Sequence, residues 1–264
     1  MNCIFCKQIS DNSKSVEHII PESLGNKTHI LQSGIVCDQC NQYFGLKVEK
    51  KLLEKKYFTD VRHRNIVENK KGRIPKSKGI IGGEVDILKT KDGRTEVIVE
   101  DQKIFKSILN GIIKHMIVPF IQEPPLNDKI VSRFLAKVGI ESLAQRFLPN
   151  EEWIKVLVEK NELDPLRNYA RYGYQIEFWE YHQRRIYNET DRFINLKVSD
   201  EPYEVIHELN LVYLQKEQLY LVLILFGIEY VINLTNPKID GYLEWLKDNN
   251  NRSPIIEENE RETL

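Results

Sequence analysis

Apolar positions along this chain change their spacing repeatedly, and each change predicts a different kind of element. Residues 1–46 are short-period and turn-rich, with one strand-like step, Gly34-Ile35-Val36. From about residue 43, Phe44, Val48, Leu52 and Leu53 recur at helical intervals. A charged, glycine-bearing loop (69–73) follows, and then two alternating runs, 83–88 and 95–100, flank Lys91-Asp92-Gly93 as a hairpin. Asp101 is placed to cap a helix whose apolar face is Phe105, Ile108, Leu109, Ile112, Ile113 and Met116, and which Pro119 and Pro124-Pro125 would end. Helical spacing continues over 128–147 and 151–160. Beyond Gly173 the period shortens to that of strands, predicted at 174–180, 207–215, 218–226 and 228–234, before a last helix at 238–248. The expected class is α+β, with a small N-terminal module (1–56), a mixed helical and antiparallel-strand domain (57–248) and a polar tail (249–264) that reads as disordered.

Composition narrows the class without naming a function. With 41% hydrophobic and 29% charged residues among 264, the chain reads as soluble and globular. Its richest apolar stretch, 219–234, is interrupted by Gly227 and Glu229 and falls short of the about 18 residues of a membrane span. No basic-then-apolar leader precedes Cys3, so a cytoplasmic location is expected and no membrane partner. Net charge is −1, yet residues 1–80 hold 15 Lys/Arg against 8 Asp/Glu, and the remainder 23 against 31. Basic charge gathered in the N-terminal third suits a polyanion, although a solvated basic helix is the bland alternative.

All four cysteines lie in the first 40 residues, as Cys3-x2-Cys6 and Cys37-x2-Cys40. Two such pairs form knuckles that can present four thiolates to one ion at about 2.3 Å. Soft anionic sulfur favours zinc, and a closed four-sulfur site is structural. No βαβ context for a redox pair surrounds Cys3, and a reducing compartment argues against disulfides. In so small a module the metal would supply much of the folding free energy.

Between the pairs stands Glu17-His18, and Asn41 follows the last cysteine. Phosphodiester cleavage needs an activated water and charge neutralisation at the phosphate, which a histidine base and oxygen ligands for Mg²⁺ or Mn²⁺ can provide. Alone, an acid–histidine step is usually a surface pair. Its place between the two knuckles raises its standing.

Three segments together carry a family resemblance: Cys3-x2-Cys6; Glu17-His18-Ile19-Ile20-Pro21-x-Ser23-Leu24-Gly25; and Val36-Cys37-x2-Cys40-Asn41-x2-Phe44-Gly45. They resemble HNH endonucleases of the ββα-metal fold, in the zinc-bound subset that ends its motif on Asn. The resemblance implies His18 as general base, Glu17 and Asn41 as holders of a catalytic divalent ion, and the four cysteines on structural zinc. It also implies DNA as substrate ahead of RNA, and roles such as phage defence or restriction. The family's middle Asn, which braces the loop, has no evident counterpart; Asn26, His29 and Gln32 all stand as candidates. Lys47, Lys50, Lys51, Lys55, Arg62 and Arg64 are the expected phosphate contacts. His63 and His115 read as a surface and a helix-face residue. The alternative is a zinc-stapled nucleic-acid-binding protein without catalysis. A homodimer or a regulatory partner stays open, since one site per chain cuts one strand.

Overall fold

The computed structural model describes residues 1–173, 177–195, 199–214, 218–255 and 262–263. Cα packing divides the chain into two compact units: Met1–Pro21, Asn26–Leu52 and Leu126–Leu264 form the first, and Glu22–Gly25 with Leu53–Pro125 the second. The cysteine module shares its unit with residues 126–264.

The module is a minimal ββα arrangement. Strand β1 (Glu17–His18) pairs antiparallel with β2 (Ile30–Leu31), in register Glu17 to Leu31 and His18 to Ile30. Helix α1 (Asp38–Phe44) follows, continues through a π-helical turn (Gly45–Glu49) and ends as α2 (Lys50–Leu53). The helix predicted from residue 43 therefore begins five residues earlier, inside the second cysteine pair, where Cys37 serves as N-cap. The expected strand 34–36 is a turn with a single bridge, Ser33 to Val36. Gly34 sits there at φ +92°, a left-handed conformation that suits glycine.

The second unit carries α3 (Lys56–Arg64), the antiparallel sheet β3 (Ser77–Ile80), β4 (Glu84–Lys89) and β5 (Thr95–Ile98), and α4 (Gln102–Leu109). Asp101 caps α4 as expected, accepting from the amides of Lys103 and Ile104. The helix stops before Ile112 and Met116, however. Gly111 adopts φ +70°, its amide bonds to Ile108 O, and the Ile112 amide to Ser107 O, the paired bonds of a Schellman stop.

In the first unit, α5 (Lys129–Phe147), α6 (Glu151–Glu159) and α7 (Asp164–Arg171) precede the strands. Asp128 caps α5 through the amides of Ile130 and Val131. Helix α5 is buried from Val131 through Ala144 on every side, polar residues included. It packs against α6, α7, β2, the π-helical turn and the four-stranded sheet. That sheet runs in the order β6 (Tyr181–Arg185), β11 (Ile228–Asn233), β10 (Gln218–Leu225), β9 (His207–Leu214), all antiparallel.

Strands β10 and β11 are buried along nearly their whole length, which is why they read as continuous apolar runs. Their second face packs with Tyr242 and Leu246 of α8 (Asp240–Asp248) and with Ile255. A small sheet of β7 (Phe193–Asn195), β8 (Ser199–Tyr203) and β12 (Glu262–Thr263) completes the unit. The strand expected at 174–180 is absent from its described part, 177–180, and residues 174–176 lie outside the described residues, as does the end of the run at 215. Of the tail expected from 249, residues 250–252 are exposed and 253–255 buried; residues 256–261 and 264 lie outside the described set. No described helix is long and apolar enough to cross a membrane.

Candidate metal-dependent nuclease site

The four cysteine sulfurs all lie within 4.8 Å of one another, so the two knuckles face a common centre. Lys7, in a left-handed conformation at φ 59°, closes the first knuckle: its backbone N–H donates to Cys3 O at 2.9 Å. The second is closed by the Cys40 amide on Cys37 Sγ at 3.4 Å, while the Cys37 amide donates to Cys3 Sγ at 3.3 Å. Crowded thiols resist ionising together. Burial, with neighbouring sulfurs, pushes Cys6 up to about 11, and the hydrogen bond to Cys3 drives Cys40 far above the ordinary thiol range. Cys3, receiving that bond and several backbone amides, falls to about 5. A dication at the centre removes the conflict by letting all four ionise. The cluster fits a structural zinc ion.

Asn26 resolves the open question of the brace. It is 1% exposed, and its amide nitrogen donates to Ile20 O at 2.6 Å and His29 O at 2.9 Å. Its carbonyl oxygen accepts from the amides of Thr28 (3.0 Å) and His29 (2.9 Å). One side chain thereby holds both ends of the β1–β2 connection. His29 instead bonds through Nδ1 to Gln145 Oε1 at 3.2 Å and meets the ring of His207 edge-on.

Asn41, half-buried on α1, donates from Nδ2 to Val16 O at 3.3 Å. That bond brings the last motif residue against the strand that begins one residue later with Glu17-His18. Successive strand residues point to opposite faces. Accordingly Glu17 is buried at 4% exposure, and His18 is half-buried.

Glu17 faces a residue that the sequence did not mark. Its Oε1 lies 2.7 Å from Nζ of Lys137 on α5. The same ammonium lies 2.9 Å from Glu49 Oε1 and 2.8 Å from Glu141 Oε2. Burial alone would lower the Lys137 pKa, but the three carboxylates outweigh it and hold the ammonium charged. Burial, with its acidic neighbours, raises Glu141 well above the carboxylate range. Lys137 and Glu141 stand four apart, a spacing that on the sequence alone suggests an exposed helical pair.

The basic residues divide. Lys47, Lys50 and Lys51 are exposed, on the π-helical turn and α2. Lys55 is half-buried. Arg62 is 6% exposed inside the face that α3 buries, and burial brings its pKa down to about 10. Arg64 stacks over the Phe120 ring at 5.3 Å. The structure therefore offers the three lysines to solvent and turns Arg62 inward. His63 is buried rather than on the surface, donating from Nδ1 to Pro75 O at 2.8 Å. His115 is exposed, beyond the end of α4.

Four converging thiols, a two-strand hairpin bearing the acid–histidine pair and a helix bearing the adjoining Asn make up a ββα module suited to structural zinc. Residues 3–57 match the family model described as HNH endonuclease. No curated protein and no solved structure matches the chain. The matched segment supports nuclease chemistry on a nucleic acid in general terms.

Proposed function

We propose that the protein is a metal-dependent endonuclease that hydrolyses phosphodiester bonds in DNA, with His18 as general base and Asn41 and Glu17 as holders of the divalent ion. The observation that carries this reading is the bond from Asn41 to Val16 O, which joins the two halves of the motif. The donors are oxygen atoms, which suit a hard cation: Asn41 has an amide oxygen outside that bond, and Glu17 has a carboxylate whose Oε1 meets Lys137. When bound, the ion supplies charge neutralisation at the phosphate and at the leaving oxygen.

Nδ1 of His18 is buried, which leaves Nε2 to face the reaction. There it takes a proton from water as the oxygen attacks phosphorus. The P–O3′ bond breaks in line, the 3′ oxygen is protonated from solvent, and the products carry 5′-phosphate and 3′-hydroxyl ends. Lys47, Lys50 and Lys51 hold the backbone beside the site by phosphate contacts that are indifferent to sequence. The family resemblance extends the reading to defence against phage or restriction.

The test is nicking of supercoiled plasmid with Mg²⁺ or Mn²⁺ by wild type, His18→Ala and Asn41→Ala, with zinc quantified in each. Loss of cutting in both variants at one zinc per chain is expected. Cutting that survives both substitutions would sink the assignment.

A further inference from the structure

We propose that Lys137 is the positioning residue of this site: from helix α5 it fixes strand β1 and the turn after α1, and so sets where His18 stands relative to Asn41. The inference rests on the nuclease reading above.

Four observations converge. First, Lys137 is wholly buried, with 0% of its side chain exposed, in a helix that is otherwise largely apolar. Buried ion clusters are poor stabilisers compared with apolar residues of the same volume, so stability alone does not explain a lysine here. Second, its Nζ lies 3.3 Å from His18 O and 3.4 Å from Ile19 O, on the backbone of the proposed base itself. Third, its carboxylate partners lie on separate pieces of the motif: Glu17 on β1, and Glu49 on the turn that continues from the helix of Asn41. One ammonium thereby ties the histidine strand to the asparagine helix. Fourth, β1 and β2 pair over only two residues each, too little to fix a side chain unaided. Glu141, one turn along α5, meets the same ammonium at 2.8 Å and orients the lysine from its own helix.

The nuclease motif is therefore finished by a residue 80 positions beyond the end of the segment that matches the family model at 57. Residues 3–57 supply the base and the ion ligands, and α5 supplies their spacing.

The experiment uses the full chain carrying Lys137→Met, which keeps length and removes charge. A companion, Lys137→Met with Glu141→Gln, removes one carboxylate together with the ammonium and serves if the single variant does not fold. Zinc content and melting temperature confirm folding. On plasmid with Mg²⁺, kcat is expected to fall about 100-fold, the loss that goes with displacing a catalytic group by about 1 Å. KM for DNA should stay within about twofold of wild type, because the exposed lysines are untouched. Adding His18→Ala should produce little further loss, since both changes disable one group. The His18 imidazole signal in a ¹H–¹⁵N spectrum, assigned by its disappearance in His18→Ala, should move in the Lys137 variant. That signal is read without turnover, so it judges the positioning role even in a chain that cuts nothing, whereas unaltered cutting by His18→Ala would strike the nuclease reading alone. An unmoved imidazole signal, or a kcat loss that multiplies with that of His18→Ala, overturns the proposal.

Discussion

Arg167 Nε donates to the carbonyl oxygen of Ile4 at 2.7 Å, tying the first cysteine knuckle to helix α7 across 163 residues of sequence. The same guanidinium donates to Lys160 O and Asp164 Oδ1 through Nη1 and to Leu157 O through Nη2. Arg167→Met would strand those carbonyls in the core. We expect a loss of about 3 kcal/mol in urea unfolding, from several charge-assisted bonds broken at once. Zinc release to a chelator should quicken in the same variant, because the knuckle loses its outer support.

Asn26→Ala is expected to loosen the β1–β2 connection while leaving zinc bound. Four hydrogen bonds depend on that side chain, and the groups it leaves behind are in part buried. A destabilisation of about 2–3 kcal/mol is consistent with such orphaned groups. Amide exchange at Thr28 and His29 should accelerate, with little change at α8. Unchanged exchange at both amides would remove the bracing role.

The exposed lysines and the buried arginine separate in a binding titration. Replacing Lys47, Lys50 and Lys51 with Gln should reduce the slope of log K against log salt by about 2.7 for duplex DNA, near 0.9 for each phosphate left without its lysine. Arg62→Met should leave the slope alone, because Arg62 is turned into the unit rather than toward solvent. Fluorescence anisotropy at several salt concentrations checks both.

Stability should fall in mild acid. Burial, together with the neighbouring His29, lowers the His207 pKa to about 4. Burial also lowers His182 and His63. For each, the unfolded chain binds protons more readily than the folded one. Stability is therefore whole above the unfolded value of about 6.5 and declines as pH drops from there toward the folded value. His207 alone accounts for about 1–2 kcal/mol between pH 7 and pH 5. Urea unfolding at those two pH values should show this difference in wild type and a smaller one in His207→Gln.

The motif residues were legible because their chemistry is unusual at their spacing, whereas their supports were not. Cys3, Cys6, Cys37 and Cys40 announce a common centre, and they meet within 4.8 Å. Among the bracing candidates, Asn26 could not be separated from His29 and Gln32, since the choice depends on where the β1–β2 turn folds back. Helix α7 begins with a start signal, Asp164-Pro165, but its apolar contacts, Leu166, Tyr169 and Ala170, span barely two turns, too short a run to show a period. Strand β6, Tyr181-His-Gln-Arg-Arg, has the composition of a loop and becomes a strand only by pairing with β11. Lys137 was invisible for a similar reason, since nothing local marks a lysine whose partners are 88, 120 and four residues away.

The first compact unit is assembled from both ends of the chain, with residues 53–125 set apart between its pieces. A nascent chain that has emerged only as far as residue 100 already owns both cysteine pairs, Glu17-His18 and Asn41. It does not yet own the helix on which they pack. Synthesis thus imposes an order, in which the segment able to collect zinc exists well before the segment that gives it a core. A fragment cut near residue 57 would keep the recognisable motif and lose the scaffold.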